Sequence, residues 1–412
     1  MTSLFAPLLR LRAFEALRHR SFRLLSLGQV FANLGIWMDE VTRGWLIYEL
    51  TGSVLQLGLV RGVQAIPMLI LAPIAGGAAD RYSRRTLLVI AQCANSVVYA
   101  TTALLVVTRL IEPWHLYATA VLVGAAQVFQ QPARAAMTSD IVPIELLTNA
   151  IGLNSIIFNG SRSIGPALAG AMIVLWGTAG AFSVQSLFLI LAALCTARIP
   201  LAALIARHAR RRESFARSIV EGWKFSWRSE PVRAGLLCTM LASFLIAPFT
   251  TLLPVFARDL LNVGATGQGL LLTGMGIGAL VSAGVIAGAG HRLPRGLLML
   301  VATMGYGIAI ILFAASPWFA LSFAMMALAG LCHVNSNALV QTVIQSHSPP
   351  ELRGRTMALF NMNQILITLG AAVLGALAGV LGPRWAMAAM GAAGFAAMVA
   401  MYFGMPRARR IR

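Results

Sequence analysis

GGAADRYSRR, Gly76 to Arg85, is the densest charge cluster between two long apolar runs, and its reading decides the fold. Before it, Ser53 to Ala79 carries a single charge, Arg61; after it, Thr86 to Thr108 carries none. Each run is long enough to cross a bilayer as a helix, which takes about 20 apolar residues. The decapeptide therefore reads as a short basic hinge between two membrane helices.

The rest of the chain has the same character. Hydrophobic residues make up 58% of 412, charged residues 11%, and the mean hydropathy is +0.79. A soluble fold built from this composition would lack polar surface to cover itself, so the chain is expected to be an all-α polytopic membrane protein. The net charge of +19 would suggest nucleic acid as partner of a soluble domain. Here the basic residues lie between apolar spans, which points to a lipid bilayer and to no nucleic acid. Cys93, Cys195, Cys238 and Cys332 all fall inside apolar runs without paired spacing, so they read as small buried hydrophobes, neither disulfides nor metal ligands.

Apolar runs between charge and Gly/Pro breaks predict twelve spans, at 22-48, 53-79, 86-109, 114-139, 146-175, 179-199, 233-257, 265-290, 296-315, 318-344, 354-381 and 384-404. With the N-terminus inside, only Arg109, Arg258 and Arg384 of the 32 Lys and Arg fall outside, and Arg43, Arg61, Arg134 and Arg162 lie within spans. Both termini are accordingly expected in the cytoplasm. The predicted organisation is a cytoplasmic N-terminal segment (1-21) without a cleavable signal, a six-helix bundle (22-199), a cytoplasmic linker (200-232) containing an amphipathic helix around SIVEGWKFSW, a second six-helix bundle (233-404) and a basic cytoplasmic tail (405-412). Two weak internal echoes support a duplication. A shift of 206 pairs Gly124, Val128, Pro143, Glu145 and Leu146 with Gly330, Val334, Pro349, Glu351 and Leu352, and a shift of 211 pairs Gly77, Ala78, Arg81, Arg84 and Leu87 with Gly288, Ala289, Arg292, Arg295 and Leu298.

Two six-span halves, a basic connector and GGAADRYSRR after span two resemble the major facilitator superfamily. Its loop signature, G-x-x-x-D-R-x-G-R-R, is matched by Gly76, Asp80, Arg81, Arg84 and Arg85, with Ser83 in the place of a glycine. A helix-five signature of the superfamily's exporters, G-x8-G-x3-G-P-x2-G-G, is matched by Gly152, Gly165, Pro166 and Gly170, with Ser161 and Ala169 as small replacements. Within the superfamily the chain is similar to the drug and siderophore exporters of the enterobactin-exporter-like group. The resemblance implies that Asp80 latches the two halves on the cytoplasmic side, where Arg81, Arg84, Arg85 and Arg134 complete the gate.

Ionisable residues inside a membrane are functional suspects, because each costs several kcal/mol unless paired or hydrated. Asp39, Glu40 and Arg43 interrupt span one, and Gln29, Asn33, Glu40 and Arg43 fall on one stripe at about 100 degrees per residue. Glu40 is therefore the candidate cavity carboxylate, with Asp39 on the flank. Arg162 lies about 21 Å into span five, at a similar depth, so an ion pair across the helices is feasible. Asn159 and Ser155 share its face. A carboxylate beside a removable cation can exchange a proton as its surroundings change, although a permanent structural pair would use the same residues. Spans four and ten carry matched polar stripes, Gln127, Gln130, Gln131 and Arg134 against His333, Asn337, Gln341 and Gln345, which suit either a central cavity or interhelical hydrogen bonds.

No Walker loop, HExxH or catalytic serine elbow is present, so the expectation is a transporter without metal or cofactor and not an enzyme. The reading is a monomeric proton antiporter of the inner membrane that exports amphipathic small molecules of drug or siderophore type by alternating access. A proton-coupled importer of the same fold, and a membrane sensor or intramembrane enzyme, are the alternatives.

Overall fold

The computed structural model describes residues 12–200, 215–289, 294–349 and 352–411. They are helical throughout, with no strand among them. A short 3-10 segment, Arg12–Arg18, leads into α1 (Arg20–Thr51), followed by α2 (Val54–Arg81), α3 (Arg84–Val107), α4 (Pro113–Ile141) and α5 (Leu147–Ala197). After the connector come α6 (Phe215–Arg228), α7 (Glu230–Leu260), α8 (Gly264–Ala289), α9 (Arg295–Ala315) and α10 (Phe319–Ser346). The chain ends with α11 (Arg353–Asn361), α12 (Asn363–Leu381) and α13 (Pro383–Gly404).

Local chemistry sets several of these ends. The Ser83 hydroxyl accepts a bond from the Thr86 N–H and opens α3, and Pro113 occupies the first turn of α4 behind a Glu112–His115 capping box. Among the described residues, seven helices are long and apolar enough to cross a membrane, and Val54–Met68 and Ile365–Leu381 are shorter apolar helices. Their outer surfaces are studded with exposed apolar side chains such as Val97, Ile164, Val174 and Val380. A water-facing helix would not tolerate such a belt, whereas lipid does.

Spans five and six are two helices, as expected, and they meet within α5 at Gly177, whose φ of 67° and ψ of −176° are open essentially to glycine alone. Two elements differ from the sequence expectation. Span seven begins earlier and ends later than expected and is irregular, with π-turns at Ala242–Ile246 and Phe256–Leu260 flanking a 3-10 stretch. Pro248 and Pro254 supply the cause, since neither can donate a bond to the preceding turn. Span eleven is interrupted between α11 and α12 at Met362.

The chain divides into two compact units, Met1–Leu46 with Ile66–Arg211, and Ile47–Ala65 with Arg212–Arg412. In the first, α3 packs between α4 and α5, and Leu25, Leu88, Ala133, Met137 and Ile199 form a buried cluster. In the second, α10 packs against α8 and α9, with a core that includes Leu236, Met299, Val340, Leu359 and Met398. The hairpin 47–65 belongs to this second unit because Gly58 meets α12 closely: a Cβ on Gly58 would lie 2.6 Å from the Ala371 carbonyl oxygen.

Each unit repeats the other's internal construction. The Ala16 N–H donates to Asn149 Oδ1 at 3.2 Å, seating the Arg12–Arg18 segment on the start of α5. At the same shift of 206, Gly222 of α6 lies against Arg355 at the start of α11, where a Cβ would come 3.0 Å from Arg355 Cβ, and the neighbouring Glu221 pairs with Arg355. Gly177 has its counterpart in Gly382 (φ 83°, ψ 156°), which joins α12 to α13. These correspondences lie in contacts and turns, so they are independent of the Gly/Ala/Leu bias that weakens sequence echoes.

Candidate functional site

The charged residues of α1 form the most buried polar group of the first unit. Arg43 is fully buried and Asp39 is 2% exposed. One helical turn apart, they face each other: Arg43 Nε lies 3.1 Å from both Asp39 oxygens, and one terminal nitrogen lies 3.0 Å from Oδ1. The other terminal nitrogen donates to Thr119 Oγ1 at 2.8 Å and to the Leu116 carbonyl at 3.2 Å, tying α1 to α4. A cation and an anion taken from water together lose hydration that their attraction returns only if the geometry is good and further hydrogen bonds are made. The Thr119 and Leu116 bonds meet that condition. One turn along α1, Thr42 accepts from Gln185 Nε2 at 2.9 Å, which ties the same region to α5.

Glu40, adjacent in sequence, is half-buried. On α5, Gly165 is the residue that lets α1 approach, since a Cβ there would meet Trp37 Cβ at 2.6 Å and the Leu34 carbonyl at 3.3 Å. Close passage at this glycine brings Arg162 over Trp37, with its guanidinium carbon 5.4 Å from the ring centroid, while Phe158 meets the same ring edge-on at 5.6 Å. Asp39 thus turns to Arg43 of its own helix, and the charge of Arg162 sits on an indole face. Pro166 and Gly170 are buried, as are Ser161 and Ala169, whereas Gly152 has open space around it.

The loop basic residues bind the ends of helices. Arg84 pairs with Asp140 on the last turn of α4, and Arg85 donates to the Ala197 carbonyl at the end of α5, where the helix dipole is negative. Asp140 was not singled out by sequence reasoning; the signal available was a lone carboxylate beside the Val142–Pro143 break, within reach of a basic loop. The side chains of Asp80 and Arg81 and the surroundings of Gly76 lie outside the described residues, as do His291 and Arg292.

The polar stripe of α4 is split between two environments. Gln130 and Arg134 are buried, Gln127 is half-buried and Gln131 is exposed. Arg134 donates to Asn33 Oδ1 at 3.3 Å. Gln29 Nε2 lies 3.5 Å from the Asn154 carbonyl, and Asn154 Nδ2 donates to Thr138 Oγ1 at 3.3 Å. Beside them, Ala135, Thr138, Ser139, Leu147, Ile151, Asn154, Ser155, Phe158 and Asn159 line a cavity of about 430 Å³ between α4 and α5. In the second unit His333 is half-buried and packs against Tyr306 at 5.0 Å, Asn337 is half-buried and Gln341 is exposed. No cluster of three or more metal-ligating side chains occurs among the described residues.

Buried charge inside apolar helices, a small-residue crossing and a cavity walled by amides, hydroxyls and aromatics suit passage of a solute through a membrane. Comparison with known proteins agrees. The family described as transmembrane secretion effector matches residues 11–409. Among curated relatives, the chain is 26% identical over 342 residues to the multidrug efflux pump Tap of Mycolicibacterium fortuitum, covering 80% of this chain and 81% of Tap. It is 23% identical over 373 residues to the staphyloferrin A transporter of Staphylococcus aureus, covering 90% and 92%, and 26% identical over 387 residues to the enterobactin exporter EntS of Shigella flexneri, covering 92% and 90%. Among solved structures, a bacterial homologue of the human lysosomal transporter Spinster, inward-facing and unoccupied, superposes with a TM-score of 0.76 at 15% identity, over 95% of this chain and 98% of that one. The nucleoside transporter NupG superposes with a TM-score of 0.74 at 13% identity, over 94% and 99%. With the fold shared at that level and the family matched over nearly the full length, the chain belongs to the transmembrane secretion effector family of the major facilitator superfamily.

Proposed function

We propose that this protein is a proton antiporter that exports amphipathic small molecules across the cytoplasmic membrane by alternating access, with twelve crossings and both termini in the cytoplasm. The observation that carries the proposal is the carboxylate–guanidinium group of α1, placed in the middle of an apolar helix where an unneeded charge would cost about 2.5–3.5 kcal/mol. Relatives that are efflux and siderophore transporters support the outward direction.

The residues divide the work by burial. Asp39 and Arg43 are locked together and hydrogen-bonded to α4, so they hold charge and fix the helix crossing. Glu40 is half-buried beside them and carries the exchangeable proton. As an ionised carboxylate it attracts a cation or water; protonated, it lets the surrounding helices close on an apolar surface. Arg162, held over the Trp37 face, is the cation that α5 contributes to this region. The Arg84–Asp140 pair and the Arg85 cap of α5 brace the cytoplasmic end of the first unit, and Asp80 provides the latch of that gate.

Flux in proteoliposomes tests the reading. Ethidium, Hoechst 33342 and taurocholate, one at a time, are followed with and without an imposed pH gradient. Gradient-driven movement of at least one is expected; movement of all three unaffected by dissipating the gradient contradicts proton coupling.

A further inference from the structure

One buried charge has no role in that scheme. Arg134 is 7% exposed, its hydrogen bond is to the neutral Asn33 amide, and its Nη2 has no partner among the described residues. The acid nearest to it on α4, Asp140, is engaged by Arg84. Around it the shortage of partners continues. Gln130, one turn earlier and 3% exposed, has neither side-chain atom bonded, and Asn33 Nδ2, Gln29 Oε1 and Asn154 Oδ1 are also unmatched. Buried polar atoms are nearly always paired, and a buried cation without an anion is the costliest exception.

The bonds that do exist link three helices: Arg134 to Asn33, Gln29 to the Asn154 carbonyl, Asn154 to Thr138, and Thr138 back to the Arg134 carbonyl at 3.0 Å. Thr138 and Asn154 are also walls of the 430 Å³ cavity, whose other walls include Leu147, Ile151 and Phe158. An apolar cavity edged by Thr138 and Asn154, with a guanidinium behind them that has no counter-charge among the described residues, has the shape of a site for a molecule with an apolar body and an anionic head.

We propose that the cavity between α4 and α5 binds amphipathic carboxylates, with Arg134 as the counter-charge to the carboxylate and the second N–H of the Asn154 amide as the neutral donor that orients it. This deepens the export reading and rests on it, by naming the substrate class. A guanidinium matches a carboxylate in both charge and fork geometry, and the low dielectric around it strengthens the contact.

Binding of 1-pyrenebutyrate and of its uncharged analogue 1-pyrenebutanol to the purified full-length protein tests this. Energy transfer from tryptophan to pyrene provides the readout, since Trp37 touches the cavity residue Phe158. The wild-type chain is expected to prefer the carboxylate at least tenfold. Arg134→Gln removes that preference while leaving pyrenebutanol binding within twofold, and Arg134→Lys restores part of it. Equal binding of the two probes by the wild-type chain, a comparison that needs no variant to fold, overturns the inference. So does an undiminished preference in Arg134→Gln, or displacement of pyrenebutyrate by chloride at matched concentration, which would make the site one for inorganic anions. If the preference is absent while proton-driven flux of ethidium or taurocholate persists, the substrate class alone is wrong; if no probe moves with the gradient, the export reading fails first.

Discussion

Two acids adjacent in sequence, Asp39 and Glu40, are expected to respond differently to neutralisation because their surroundings differ. Asp39→Asn leaves Arg43 fully buried without its counter-charge, and breaking a buried pair from one side costs roughly 3–5 kcal/mol. The variant is expected to lose most folded protein, read as a fall in melting temperature of the purified transporter. An Asp39→Asn protein as stable as wild type would show that the pair contributes little. Glu40→Gln, half-buried and isosteric, keeps its melting temperature and loses gradient-driven flux. Arg84→Gln is a third residue-scale case. Removing it strands Asp140, whose side chain is 4% exposed, so activity is expected to fall, with recovery in the Arg84→Gln, Asp140→Asn double variant. Failure of the double variant to recover would mean that each residue acts alone.

Individual residues were unevenly legible in the sequence. The four-residue spacing of Asp39 and Arg43 lay in plain view, yet a partner across the helix interface at Arg162 competed with it, since spacing along one helix says nothing about which way a long arginine turns. For Asp39, the 3.0 Å contact to Arg43 separates these alternatives. Asp140 escaped notice because a single acid near a helix end has no periodicity, and its meaning comes from a loop 56 residues earlier.

At the scale of elements, runs of apolar residues bounded by charges located the helices well, because bilayer thickness dictates length and charge marks the ends. Irregular backbone was less visible. Among 38 glycines nothing in the sequence distinguishes Gly177 and Gly382, which combine a positive φ with ψ of −176° and 156°. Gly177→Ala and Gly382→Ala are each expected to cost about 1–3 kcal/mol, because a Cβ in that region meets its own backbone. Thermal unfolding checks this, with Gly152→Ala, where nothing lies within 4 Å, as the comparison expected to be nearly neutral. In α7, Pro248 and Pro254 interrupt the hydrogen-bond ladder, and the π-turns fall on either side of Ala247–Leu252, which apolar length and charge do not foretell.

For the whole molecule, duplication is the organising fact. The same helix seat appears in each unit, through Asn149 in one and Arg355 in the other, and the same glycine corner divides α5 and joins α12 to α13. Such halves are the structural requirement for alternating access, in which two similar bundles rock around a central site. Glu40 stands in only one of them, so the coupling proposed above is one-sided although the fold is two-fold. The direct test compares Glu40→Gln with the wild-type transporter in proteoliposomes, using whichever of ethidium and taurocholate the wild type carries. Transport driven by an imposed pH gradient and gradient-free exchange of labelled for unlabelled substrate are measured side by side. The account predicts that the variant loses gradient-driven transport by at least tenfold and keeps exchange within a few-fold. Gradient-driven transport at the wild-type rate in Glu40→Gln would contradict it.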